Sequence, residues 1–153
     1  MKKILASMIL TWILIFMALN SVENEYNFDM YNNNVIYVNI PITDYKGEIQ
    51  INNVGKFFLK EDARVKFEVV DVRVPDGVKI SLNGMLILNG NIIINMPCMV
   101  SKGIECYRIM IIIPGYDEPI ILKRGVYEVS IRVSWTSSVK DINVSIGIAY
   151  LKV

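Results

Sequence analysis

The chain has 153 residues, 53% apolar and 20% charged, with 16 Lys and Arg against 15 Asp and Glu and no histidine. That apolarity excludes a disordered, highly charged polymer, the length suits one domain, and a net charge of +1 gives no basic surface to draw the protein to nucleic acid. Without histidine the commonest general base, the commonest metal ligand and every histidine-dependent nucleophile pair are missing, which disfavours most enzyme classes.

At the amino terminus, Lys2 and Lys3 precede the uncharged run "ILASMILTWILIFMAL", Ile4 to Leu19. A short basic stretch followed by a long apolar one is the pattern of a secretory signal, so the rest is expected outside the cell or on its surface. The run falls short of the ~20 residues that span a bilayer comfortably, yet exceeds a usual signal core. Small residues are badly placed for cleavage: a cut after Ser21 leaves Leu19 at the third position back, and one after Ala18 leaves Phe16 there. Residues 1–21 therefore read as a signal peptide or as an uncleaved signal anchor, which would hold the protein in a membrane through residues 4–19. Removing them leaves 153 − 21 = 132 residues, half of them apolar.

Residues 22–34 read as a linker or a first strand. Within "EYNFDMY", Glu25 to Tyr31, the apolar Tyr26, Phe28 and Met30 alternate with polar residues. A segment of this kind can also act as an interaction strand that pairs with a neighbouring subunit's sheet.

Residues 35–153 read as a β-sandwich domain. Isoleucine and valine supply 25 and 17 residues against 4 alanines and one glutamine, Gln50. Branching at Cβ suits a pleated strand and the best helix former is scarce, so the class is all-β. "VIYVNIPI" alternates with Ile36, Val38, Ile40 and Ile42 on one face, "EIQINNV" turns Ile49 and Ile51 inward, and "KFFLK" follows Gly55. "ARVKFEVVDVRV" changes phase at Val69-Val70, which predicts a bulge or a change of sheet, and Pro75-Asp76-Gly77 then makes a turn. "VKISL", "MLIL" and "NIIINM" are separated by Asn83-Gly84 and Asn89-Gly90, the pairs that type I′ hairpins favour. "CYRIMIII" ends at Pro114-Gly115 and "PIILK" at Arg124-Gly125, and "VYEVSIRVSW" and "INVSIGIAY" alternate throughout. Nine or ten short strands predict a two-sheet antiparallel β-sandwich.

Cys98 and Cys106 are the only cysteines. An even pair across a loop in an exported protein reads as a disulfide, and closing about nine residues contributes roughly 2.6 kcal/mol. Asn143-Val144-Ser145 is the one N-x-S/T sequon, which makes Asn143 a candidate glycosylation acceptor beside its plain reading as a solvent-facing asparagine.

"ILKRGVYEVSIRVSW", with Leu122, Gly125 and Tyr127, resembles the E–F corner of immunoglobulin-like domains. "IQINNVGK" followed later by "VRVPDGVKIS" is similar to immunoglobulin-like modules of secreted or cell-surface microbial proteins, archaeal ones included. The resemblance implies a structural corner in which the Tyr127 hydroxyl bonds back across the turn. It lacks the Cys…Trp…Cys spacing of antibody domains, and a jelly-roll sandwich, as in camelysin-like surface proteins, is the alternative.

No catalytic residue, metal ligand or cofactor site is assigned. Glu61-Asp62 and Asp117-Glu118 are adjacent carboxylates in turns, and Asp71 with Arg73 reads as a surface ion pair. Trp135 shares the phase of Val133 and Ile131, so it fits the core better than a sugar-stacking platform. "MLIL", "IIIN" and "IMIII" are apolar on both faces, which asks for a covering partner. The expected function is that of a non-enzymatic cell-surface or envelope subunit, structural or interacting, with a protein partner or self-association. The alternatives are a self-assembling pilus or thread subunit using residues 25–31 as donor strand, and a carbohydrate- or ligand-binding module.

Overall fold

A computed structural model describes residues 34–109 and 111–153. The signal or anchor at 1–21 and the segment carrying Tyr26, Phe28 and Met30 lie outside the described residues. The described residues form eight strands: β1 (Val35–Ile42), β2 (Lys46–Leu59), β3 (Ala63–Arg73), β4 (Ile80–Leu88), β5 (Ile92–Lys102), β6 (Ile120–Leu122), β7 (Gly125–Ser137) and β8 (Ile142–Lys152). They build two antiparallel four-stranded sheets, ordered β1-β8-β3-β6 and β2-β7-β4-β5. No described helix is long and apolar enough to cross a membrane.

The pairs β1/β8, β2/β7, β3/β6 and β4/β5 are those of one long antiparallel ribbon folded back on itself, and β3/β8 and β4/β7 join the turns of that ribbon into sheets. An immunoglobulin-like sandwich seats its first two strands side by side. Here β1 and β2 lie in different sheets, so the strand order departs from that resemblance.

Strict alternation drives the long strands: Tyr127, Val129, Ile131, Val133 and Trp135 of β7 are buried, while Val126 before them and Glu128 and Arg132 between them are exposed. Val144 and Ile146 of β8 lie directly beside Ile40 and Val38 of β1, and with Phe67 of β3 they form the core face of that sheet. Burying each such side chain contributes about 1.5–3 kcal/mol. At one end Phe57 stacks on Tyr150 and Tyr127, with ring centroids 4.4 and 5.1 Å apart, and meets Phe67 edge-on. The Trp135 indole N–H donates to the Asp44 carbonyl at 2.9 Å, and the residue is 5% exposed, so it belongs to the core.

The boundaries correct several expectations. "EIQINNV" and "KFFLK" are one strand, β2, whose register against β7 shifts between Ile51 and Gly55, with Asn53 at φ 53°. Asn83-Gly84 makes no hairpin: it lies inside β4. A Cβ on Gly84 would collide with the Met99 sulfur, so this glycine serves close packing rather than a turn. Asn89-Gly90 does turn the chain, with φ 49° and 74°, as a type I′ hairpin requires. The phase change at Val69-Val70 is a bulge against β8, and the Asp71–Arg73 pair closes at 3.0 Å. The described residues of "CYRIMIII" form no strand: those of 103–119 make a long connection along the β5/β6 side of the sandwich, which gives eight strands among the described residues rather than the expected nine or ten.

Candidate interaction surface

Cys98 lies in β5, where that strand bulges against β4 between Met96 and Val100, and it takes φ 52°. Its backbone N–H donates to Asn83 Oδ1 at 2.8 Å. Cys98 and Cys106 form a disulfide with Cα atoms 5.7 Å apart, which ties the connection to the bulge as it leaves the sheet.

Further along, Arg108 is the hub. Its guanidinium donates to the Ile111 carbonyl at 3.1 Å and to the Asp117 carboxylate, and it lies 5.6 Å from the Tyr116 ring centroid. Asp117 also accepts the Ile113 N–H at 2.8 Å. These donors hold the Asp117 carboxyl below its ordinary 3.8, the Arg108 bond contributing most, and the same bond raises Arg108. Partial burial raises the Tyr116 phenol. Glu118 joins through its backbone only, its N–H donating to the Ile113 carbonyl and its carbonyl accepting the Gly115 N–H, so the carboxylates of Asp117 and Glu118 do not act as one site.

The connection then returns to the body. Gly115, buried at φ 84°, sits against Ile94 of β5, and its carbonyl accepts the Phe67 N–H of β3 at 2.7 Å. Gly115 thus extends the hydrogen-bonded lane beside β3 that the short β6 begins, and it bridges β3 of one sheet and β5 of the other.

The result is a stapled loop whose apolar side chains face water. Tyr107, Ile109, Ile111 and Ile112 are 88%, 79%, 60% and 62% exposed. The Tyr107 hydroxyl donates to Glu105, which raises its pKa. Connections longer than roughly 12–15 residues without secondary structure are uncommon in compact domains and are usually functional. Contiguous exposed apolar groups of this kind mark association sites.

The remaining sequence candidates sit elsewhere. The Tyr127 hydroxyl donates to the Lys123 carbonyl at 2.8 Å, Leu122 is buried, and Gly125 opens β7 at φ 146°. Asp62 braces the same corner, accepting Lys123 Nζ at 2.8 Å and the Arg124 N–H at 2.9 Å, which lowers its pKa. Asn143 is exposed at the start of β8. The sequence marks Asn83 only as half of a turn pair and Asp62 only as one of two adjacent carboxylates, and the bonds they make to Cys98, Lys123 and Arg124 leave no spacing signal. Among the described residues no group of His, Cys, Asp and Glu is placed to hold a metal ion.

No family model, no curated protein and no solved structure matches this chain.

Proposed function

We propose that the protein is an exported, non-enzymatic β-sandwich of the jelly-roll type that acts as a cell-surface or envelope association subunit, touching its protein partner through the loop of residues 103–119. The jelly-roll reading is supported by the strand order, in which a folded ribbon gives two Greek keys. Export is supported by the Lys2-Lys3 and Ile4–Leu19 pattern together with a disulfide, which persists in oxidising compartments.

The observation that carries the reading is the set Tyr107, Ile109, Ile111 and Ile112, held out to solvent on a loop closed by the Cys98–Cys106 bond and by Arg108–Asp117. Fixing a loop before it binds removes part of the ordering cost of association. Tyr107 is engaged by Glu105 and Arg108 by Asp117, which favours a role in contact over one in proton transfer.

A photo-crosslinking side chain placed at Ile109 in the producing cell tests this. Protein adducts at Ile109, absent when the same group replaces Lys60 at the other end of the sandwich, are the expected result. Equal labelling at both positions, or none at Ile109, would reject the loop as the contact. Protease digestion of intact cells checks export separately, since a domain retained inside would survive it.

A further inference from the structure

The four edge strands of the two sheets are not alike. β2 is interrupted by its bulge at Asn53, β5 by its own at Cys98 with Pro97 beside it, and β6 has only 3 residues before the loop takes over its lane. Bulges, prolines and short length are the ordinary means by which sheets avoid pairing with other chains. β1 has none of these over most of its length: it runs 8 residues in unbroken register with β8, from Val35↔Ala149 to Ile42↔Ile142. It also carries no charge, the commonest guard on an edge.

The direction of its free backbone groups follows from the ladder. The Tyr150 N–H donates to the Asn34 carbonyl, so Asn34, Ile36, Val38 and Ile40 turn their backbone groups to β8. Val35, Tyr37 and Asn39 turn theirs away, and among the described residues nothing pairs with them. The next residue of that row, Pro41, has no N–H to offer.

This row is self-complementary. Two β1 strands placed antiparallel about Tyr37 set Tyr37 opposite Tyr37 of the second copy and Val35 opposite its Asn39. Every outward N–H then meets a carbonyl, and both prolines fall outside the paired stretch. Half-buried Ile36 would face Val38 of the other copy on the inner side, and the Tyr37 rings, 58% exposed, would meet on the outer side. Aromatic cross-strand pairs are among the favourable ones. We infer that β1 is a homodimerisation edge: a second copy of this chain pairs with it in this register, giving a continuous sheet of twice the width. The inference goes beyond the loop contact and does not depend on it.

Cysteine pairs read the register directly, using the full chain in detergent with Cys98–Cys106 intact. A Tyr37→Cys chain should oxidise to a dimer, since opposed residues in a bonded pair have Cα atoms roughly 5.5 Å apart. Val35→Cys and Asn39→Cys chains should each stay monomeric, because like positions would be more than ~13 Å apart, and should link only when mixed. Phe58→Cys, exposed on β2, is the control that should not link. Deuterium exchange on the unmodified chain should find the Val35, Tyr37 and Asn39 amides slowed about 100-fold relative to a Tyr37→Lys chain, which opposes two like charges. Unprotected amides would overturn the inference. So would protected amides without the mixed cross-link, which would show another strand on the edge, residues 25–31 of some copy included.

Discussion

Asn83 holds Cys98 from the neighbouring strand: its side-chain oxygen takes the N–H of the one cysteine that sits in a left-handed backbone conformation. The bulge in β5 is therefore secured twice, by this bond and by the disulfide to Cys106. Asn83→Ala should cost about 0.5–1.5 kcal/mol, and replacing both cysteines by serine about 2.6 kcal/mol. Because both supports act on the same few residues, the triple variant should lose less than the sum, with a coupling of at least about 0.5 kcal/mol. Urea midpoints at constant slope measure this, and simple additivity would mean that the two supports are independent.

The corner at Lys123–Tyr127 separates a hydroxyl from its ring. Tyr127→Phe removes the bond to the Lys123 carbonyl, whose oxygen can turn to water, and keeps the stack on Phe57. The loss should be about 1 kcal/mol. Phe57→Ala removes a 5% exposed ring that touches three other aromatics and should cost about 3–5 kcal/mol. A Tyr127→Phe chain as damaged as Phe57→Ala in thermal unfolding would contradict this division.

The contrast between β7 and the loop shows what the sequence could carry. Tyr127 to Trp135 alternate without a break because one face meets the core and the other water, and that physical asymmetry is written residue by residue. Ile109 to Ile113 have the composition of a buried strand but no alternation, and composition does not say what lies on either side. Nothing local tells that Gly115 will dock on Ile94 from a different sheet, or that Arg108 will pair with Asp117 rather than stay in solvent. Asn83-Gly84 misled for a related reason: the pair has the chemistry of a turn, while the need for a missing side chain at Gly84 comes from Met99, distant in the chain. The loop surface was thus legible as excess apolarity, and its position was not.

Acid should loosen the loop at the Asp117 cluster. The Asp117 carboxyl lies below 3.8 in the folded chain because Arg108 and the Ile113 N–H favour its ionised form. A carboxyl lowered in this way contributes stability that is complete above the unfolded value and is lost as pH falls through the folded one. The Ile113 amide should therefore stay protected from exchange at neutral pH and lose protection progressively below pH 3.8. Asp117→Asn should remove this acid limb. Asp62 titrates in the same direction at the other end of the sandwich, so Asp62→Asn is the control that should leave the Ile113 profile in place. An Ile113 profile unchanged by Asp117→Asn would assign its protection to something else.

Gly115 tests whether the loop is packed against the sandwich or merely lies beside it. At φ 84° an alanine is strained by its backbone alone, and its Cβ would also stand 3.0 Å from Cγ1 of Ile94, which is buried. Gly77, at φ 77°, has nothing within 4 Å of the same position, so it carries the backbone cost without the crowding. Gly77→Ala should then cost about 1 kcal/mol and Gly115→Ala a further ~1–3 kcal/mol, because Ile94 is fixed by the core on its other sides. The larger loss should be local as well as global: the Phe67 amide, which donates to the Gly115 carbonyl, should exchange faster in Gly115→Ala and be unaffected in Gly77→Ala. Equal costs for the two alanines would mean that Ile94 yields freely, and the loop would then owe its position to the disulfide and Arg108 alone.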